Sequence, residues 1–138
     1  MAGSGHKLYQ VLLLHRTEGS FAGGFYAFAG GKVENQDHAL DETNYLKIAA
    51  IRELFEETNL LLATGVNTAL QKLNDASVTA LRDEYELDYK DNFSGFCTKY
   101  GLKPQVEKLF AYRRVGTPYD FKPNYDTQFY AYLCDDDQ

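Results

Sequence analysis

Four residues in one short segment, "RELFEET", have the types and spacing to do chemistry: Arg52, Glu53, Glu56 and Glu57. At about 100° per residue of an α-helix, the three glutamates fall within an arc of about 100° on one side. Ile48, Ile51, Leu54 and Phe55 fall on the other side, so such a helix has an acidic front and an apolar back. Carboxylates at i, i+3 and i+4 repel by a few tenths of a kcal/mol per pair, and only Arg52 is close enough in sequence to offset them. Two readings of the acidic front stand open. It is a solvated surface, or it is a hard-oxygen site for Mg²⁺ or Mn²⁺, which would remove the repulsion. An ion held there would screen a phosphate ester or anhydride and lower the pKa of an attacking water. Arg52 either orients the Glu56 carboxylate or forms a surface ion pair. Ala49 and Ala50, one turn upstream, leave room for another segment or a ligand to approach.

The elements that must position this face follow from the periodicity. A helix is expected from about Tyr45 to Thr58. Before it, "KLYQVLLLH" (7–15) reads as a buried strand, "RTEGSFAGG" (16–24) as a glycine-bearing loop, and "FYAFAGG" (25–31) as a short strand ending in paired glycines. The polar stretch 32–44 reads as a surface loop. After the helix, "LLLAT" (60–64) reads as a strand, and 66–101 holds helical periodicity in pieces: "NTALQKLN", "SVTALRDEYEL" and "NFSGFCTKYG", the last closing on Gly101. "QVEKLFAYRRV" (105–115) and "YDTQFYAYLC" (125–134) read as strands joined by the Gly- and Pro-marked loop "GTPYDFKPN". Strands alternating with helices argue for a layered α/β domain.

Composition narrows the function classes. The chain has 138 residues, the size of one domain, and no repeat or Pro/Ser-rich linker divides it, so 1–138 is read as a single domain with 1–6 as a disordered or non-native leader. A formal charge of −6 without a lysine-rich stretch argues against a general nucleic-acid binder. An acidic protein still acts on phosphates where a divalent cation screens the repulsion. Cys97 and Cys134 lie far apart, which suits reduced thiols. No apolar run approaches a membrane span and no signal-peptide core is present, so the expectation is an intracellular protein, cytoplasmic or organellar, with mitochondrion and peroxisome both open.

Gly30 and Gly31 followed by "RELFEETNL" resemble the Nudix hydrolase box: glycine, five residues, glutamate, seven residues, then Arg-Glu-aliphatic-x-Glu-Glu-x-Gly-aliphatic. Arg52, Glu53, Leu54, Glu56, Glu57 and Leu60 stand where the family has them. Counting from Gly31, the box glutamate falls at Asp37, and 14 residues (38–51) separate it from Arg52. Asn59 replaces the closing glycine and Ala29 the proline usual before the glycine pair. "YQVLLLHRTEGSFAGGFYAFAGG", the helical insert, "RRVGTP" and "NYDTQFYAYL" make residues 8–134 look like the coenzyme A diphosphatase-like branch, relatives of which are fused to metallo-β-lactamase-like domains. That branch expects an arginine in the loop here occupied by "TEGSFAGG", which has none.

The resemblance implies a Nudix-type α/β/α sandwich with a mixed β-sheet and a helical insert at about 66–101, truncated at both ends relative to the branch. It implies a Mg²⁺- or Mn²⁺-dependent hydrolase of a small nucleoside diphosphate derivative, coenzyme A or acyl-coenzyme A first among them. Carried over, the catalytic residues are Glu53, Glu56, Glu57 and Arg52; the metal ligands are the three glutamates and the Gly30 carbonyl; Arg16 and Gly31 face the substrate. The base is Glu56, Glu107 or Asp126. Asp126 is read first as a turn cap and otherwise as a base outside the box, and Arg16 reads equally as a solvated strand end. His6, His15 and His38 share no ligand spacing and are read as non-catalytic. "KLFAYRR" either stacks on a nucleobase or simply alternates along a strand. The stretched box and short ends also suit a non-catalytic module whose exposed sheet edge is covered by a second copy or a larger complex.

Overall fold

The computed structural model describes residues 10–19, 23–65 and 75–134. In chain order the elements are β1 (Leu14–His15), β2 (Tyr26–Ala27), α1 (Asn35–Leu40), α2 (Tyr45–Thr58), β3 (Ala63–Gly65), α3 (Asp75–Glu84), a π-helical turn (Tyr85–Tyr89), α4 (Phe93–Tyr100), β4 (Leu102–Pro104), a 3₁₀ turn (Val106–Lys108), β5 (Phe110–Gly116) and β6 (Asp126–Ala131).

Helix α2 forms as its periodicity requires, and its apolar back anchors the core. Ile48, Ile51 and Phe55 are buried with Tyr85, Phe93, Phe96, Cys97 and Leu109. Each fully buried aliphatic or aromatic side chain there contributes about 1.5–3 kcal/mol. The aromatic members pack edge-on and offset: Phe55 meets Tyr85 at 66° and Phe96 at 23°. Asn59 ends α2 in the left-handed region at φ 64°, donating its N–H to the Phe55 carbonyl. Gly101 ends α4 in the same way at φ 62°. The helices of the expected insert are present at 75–100, while "NTALQKLN" lies outside the described residues.

Three expectations are corrected. The stretch 32–44 is not simply a loop, because α1 forms inside it. This helix lacks an apolar stripe; Asp37 Oδ2 accepts from the Glu34 N–H at 2.8 Å, and the residues it buries are the polar pair Gln36 and Asp37. Of the strand expected at 7–15, the described residues begin at 10; among them only Leu14–His15 pair, and the run is not buried: Val11 is 67% exposed, Leu12 52% and Leu13 45%. Finally, the described strands form three separate antiparallel pairs, β1–β2, β3–β4 and β5–β6, instead of one mixed sheet. The first two ladders span two and three residue pairs. β5–β6 is the longest, with an irregularity between Ala111 and Arg113. The mixed α/β content remains compatible with a Nudix-type fold.

Candidate functional site

Arg52 organises the site from within. It is 1% exposed, on the front of α2, and every nitrogen of its guanidinium has a partner. Nε donates to Asp37 Oδ1 at 2.8 Å and Nη2 to Asp37 Oδ2 at 3.0 Å, a bidentate pair with a carboxylate that is itself fully buried. Nη2 also donates to the Lys32 carbonyl at 2.9 Å. Nη1 donates to Glu53 Oε1 at 2.9 Å and Glu56 Oε2 at 3.1 Å. Burial alone would lower the guanidinium pKa; the hydrogen bonds and charge of Asp37, reinforced by Glu53 and Glu56, outweigh it and hold the pKa above its ordinary value. The surface-pair reading of Arg52 is thereby excluded. It orients Glu56, and Glu53 as well.

The glutamates differ from one another. Glu53 and Glu56 are mostly covered, with side chains 14% and 20% exposed, so the front of α2 is not an ordinary solvated face. Burial pushes the Glu53 carboxyl up, Arg52 pulls it back, and the Glu56 and Glu57 charges add to the rise. Glu57 is exposed, and its Oε2 accepts the Gly30 N–H at 3.0 Å. Glu56 has both oxygens engaged, Oε2 by Arg52 and Oε1 by the Tyr85 hydroxyl at 2.6 Å.

The paired glycines lie against this face. Gly30 reaches Glu57 through its N–H, and a Cβ built on Gly31 would overlap the Glu53 carboxylate, so only glycine fits there with Glu53 in place. The 14 residues between Asp37 and Arg52, which comprise the end of α1, the link 41–44 and the first turns of α2, therefore still bring the glycine turn, α1 and α2 together. Gln36, beside Asp37, ties α1 to the insert: its carbonyl oxygen accepts the Phe93 N–H at 2.6 Å and its amide donates to the Lys90 carbonyl at 3.2 Å.

Other candidates lie elsewhere or in other roles. Arg16 has an exposed side chain, and its backbone closes the β1–β2 hairpin with Phe25 and Gly24. Asp126 pairs with Arg114 across β5–β6, and Glu107 is exposed in the 3₁₀ turn. His38 stacks on Tyr45 at 4.0 Å and bonds Glu42, while His15 packs beside Tyr26 at 5.0 Å. "KLFAYRR" takes the strand reading, with Phe110 to Arg114 on β5.

Two participants carry no signal in the sequence pattern, Gln36 and Tyr85, which join through tertiary contact alone. Asp37, where the box spacing puts the acid, is the partner of Arg52. Among the described residues, no three His, Cys, Asp or Glu side chains are already gathered as a metal cage, because the glutamates turn toward Arg52, Tyr85 and Gly30.

No family model and no solved structure matches the chain. It is similar to a Caenorhabditis elegans protein named "Putative nudix hydrolase 7", with 30% identity over 131 residues, an alignment covering 93% of this chain and 41% of the relative. The chain thus spans less than half the length of that relative. This likeness supports the Nudix resemblance carried by Gly30–Gly31 and Arg52–Leu60, and through it a hydrolase.

Proposed function

We propose that this chain hydrolyses a phosphoanhydride bond in a nucleoside-diphosphate-linked small molecule with the help of Mg²⁺ or Mn²⁺. The first substrate to test is coenzyme A or an acyl derivative. One observation carries the reading: a paired-glycine turn lies against the carboxylate front of a helix whose arginine is buried beneath it, with Gly30 on Glu57 and Gly31 against Glu53.

The donor set fits a hard divalent cation. Glu53 Oε1 and Glu57 Oε2 are held by Arg52 and Gly30, which leaves Glu53 Oε2 and Glu57 Oε1 as carboxylate oxygens facing no protein donor in the bonds described. Glu53, Glu56, Glu57 and the Gly30 carbonyl would hold the ion. Bound there, it would neutralise the diphosphate and lower the pKa of water. The chain's own residues do the rest. Arg52 fixes two carboxylates from the buried side, and Glu56, the candidate base that belongs to this cluster, takes the proton from water. Asp126, paired with Arg114, and exposed Glu107 fit that role less well. Arg16 and Gly31 are the substrate-side residues in this reading. A small-molecule ligand also suits the acidic charge, and among the described residues no helix is long and apolar enough to cross a membrane.

Incubation with Mg²⁺ or Mn²⁺ and a panel of coenzyme A, ADP-ribose, NADH and dinucleoside polyphosphates tests the proposal, with Glu56→Gln as control. Turnover that the variant loses supports it. Turnover of none of them, or equal turnover by the variant, sinks it.

One observation favours a second reading, a binding or assembly module. Leu12 and Phe25, next to the β1–β2 pair, Tyr26 in β2, and Phe110 and Tyr112 in β5 are exposed apolar side chains of the kind another protein would cover. An active monomer by mass in solution would exclude it.

A further inference from the structure

The helical insert touches the carboxylate cluster through the π-helical turn Tyr85–Tyr89, whose Tyr85 hydroxyl bonds Glu56. A single π turn after a helix re-aims the side chains that follow, and such turns recur at functional sites. Here it buries Tyr85 completely, with its ring edge-on to Phe55, Phe93 and Phe96. The ring cannot swing without displacing three aromatic neighbours, so the hydroxyl position is fixed by the core. A phenol has one hydrogen to give. The Glu56 Oε1 at 2.6 Å is charged and closer than the Lys90 carbonyl at 3.3 Å, so the proton points at Glu56.

We infer that Tyr85 is a positioning residue for Glu56: with Arg52 on the other oxygen, it fixes the plane of the carboxylate that would serve the ion and the attacking water. This rests on the hydrolase reading above and extends it, because the determinant lies in the insert and outside the box. Among the described residues, Glu56 is the glutamate of the three that is held by both oxygens, Glu53 and Glu57 each being held by one.

The test is a cycle of Tyr85→Phe, Glu56→Gln and the double variant. Phenylalanine keeps the ring packing, so the melting temperature should fall by no more than a few degrees, and circular dichroism checks the fold. With the best substrate of the panel, Tyr85→Phe should lower kcat roughly tenfold to a hundredfold, the loss of a hydrogen bond to a charged group, with KM within about twofold. It should also weaken Mn²⁺ binding, followed by electron paramagnetic resonance without substrate. Both losses should vanish in the Glu56→Gln background, since a residue acting through Glu56 has nothing left to position. If the folded Tyr85→Phe protein matches its parent in kcat and Mn²⁺ affinity, or its losses add to those of Glu56→Gln, the inference is overturned while the hydrolase reading stands. A parent that neither binds Mn²⁺ nor turns over any substrate overturns both.

Discussion

Removing the Asp37 carboxylate tests how the site is held together. Asp37 accepts three hydrogen bonds, from Arg52 Nε, Arg52 Nη2 and the Glu34 N–H, and neither side chain of the pair exceeds 1% exposure. Breaking a buried ion pair by removing one partner costs about 3–5 kcal/mol, because the other charge stays behind in a poorly solvated place. Two features set the value for Asp37→Ala. Arg52 keeps Glu53, Glu56 and the Lys32 carbonyl, which pulls the cost to the low end. The Glu34 N–H at the start of α1 loses its acceptor, which adds about 1 kcal/mol. The expected loss is about 3–4 kcal/mol. For a domain of this size that lowers the melting temperature by about 10–15 °C. Equilibrium urea unfolding of parent and variant measures it at constant slope. Asp37→Asn should be no more than about 1 kcal/mol better than alanine, since its amide hydrogens must face N–H groups of Arg52 or Glu34 whichever way it is turned. A loss below about 1 kcal/mol for Asp37→Ala would refute the reasoning, and would mean that the glutamates alone satisfy Arg52.

Three further outcomes are expected. Gly31→Ala should push the Glu53 carboxylate aside, cutting activity at least tenfold while thermal unfolding moves little, because the clash falls on the end of a flexible side chain. Asn59→Ala should cost about 1 kcal/mol and Asn59→Gly be neutral or mildly stabilising, as thermal unfolding would show, since φ is 64° there. With a thiol reagent at neutral pH, exposed Cys134 should react readily and buried Cys97 only on unfolding. Burial raises the Cys97 thiol from 9.0 to about 12, so stability is full below pH 9 and declines as pH rises toward 12, readable by urea unfolding at alkaline pH.

Much of the site was legible because helical geometry is local. Ile48, Ile51 and Phe55 behind the glutamates follow from periodicity alone, while the left-handed Asn59 stands where the box resemblance has its closing glycine. What escaped was set by contacts between segments. Helix α1 has no apolar stripe, so nothing in "KVENQDHALDETN" marked a helix whose buried residues are Gln36 and Asp37. The "VLLL" run had the composition of a core strand, but burial depends on what packs against it, and the described structure leaves Val11 to Leu13 exposed. Tyr85 sat in an ordinary helical pattern until a π turn directed its hydroxyl to Glu56.

Residues 41–44 bear on how such a site is recognised at all. Asp41 Oδ1 accepts the Thr43 and Asn44 N–H groups, each at 3.0 Å, and Oδ2 accepts the Asn44 side-chain amide at 2.9 Å, so the stretch from α1 to α2 closes on itself. The interval of 14 residues is spread over the end of α1, this link and the first turns of α2, and the guanidinium still meets its acid. A pattern that fixes the interval between acid and arginine will overlook this chain, whereas one that asks only for a buried arginine bridging an acid from one helix to two glutamates on its own would find it.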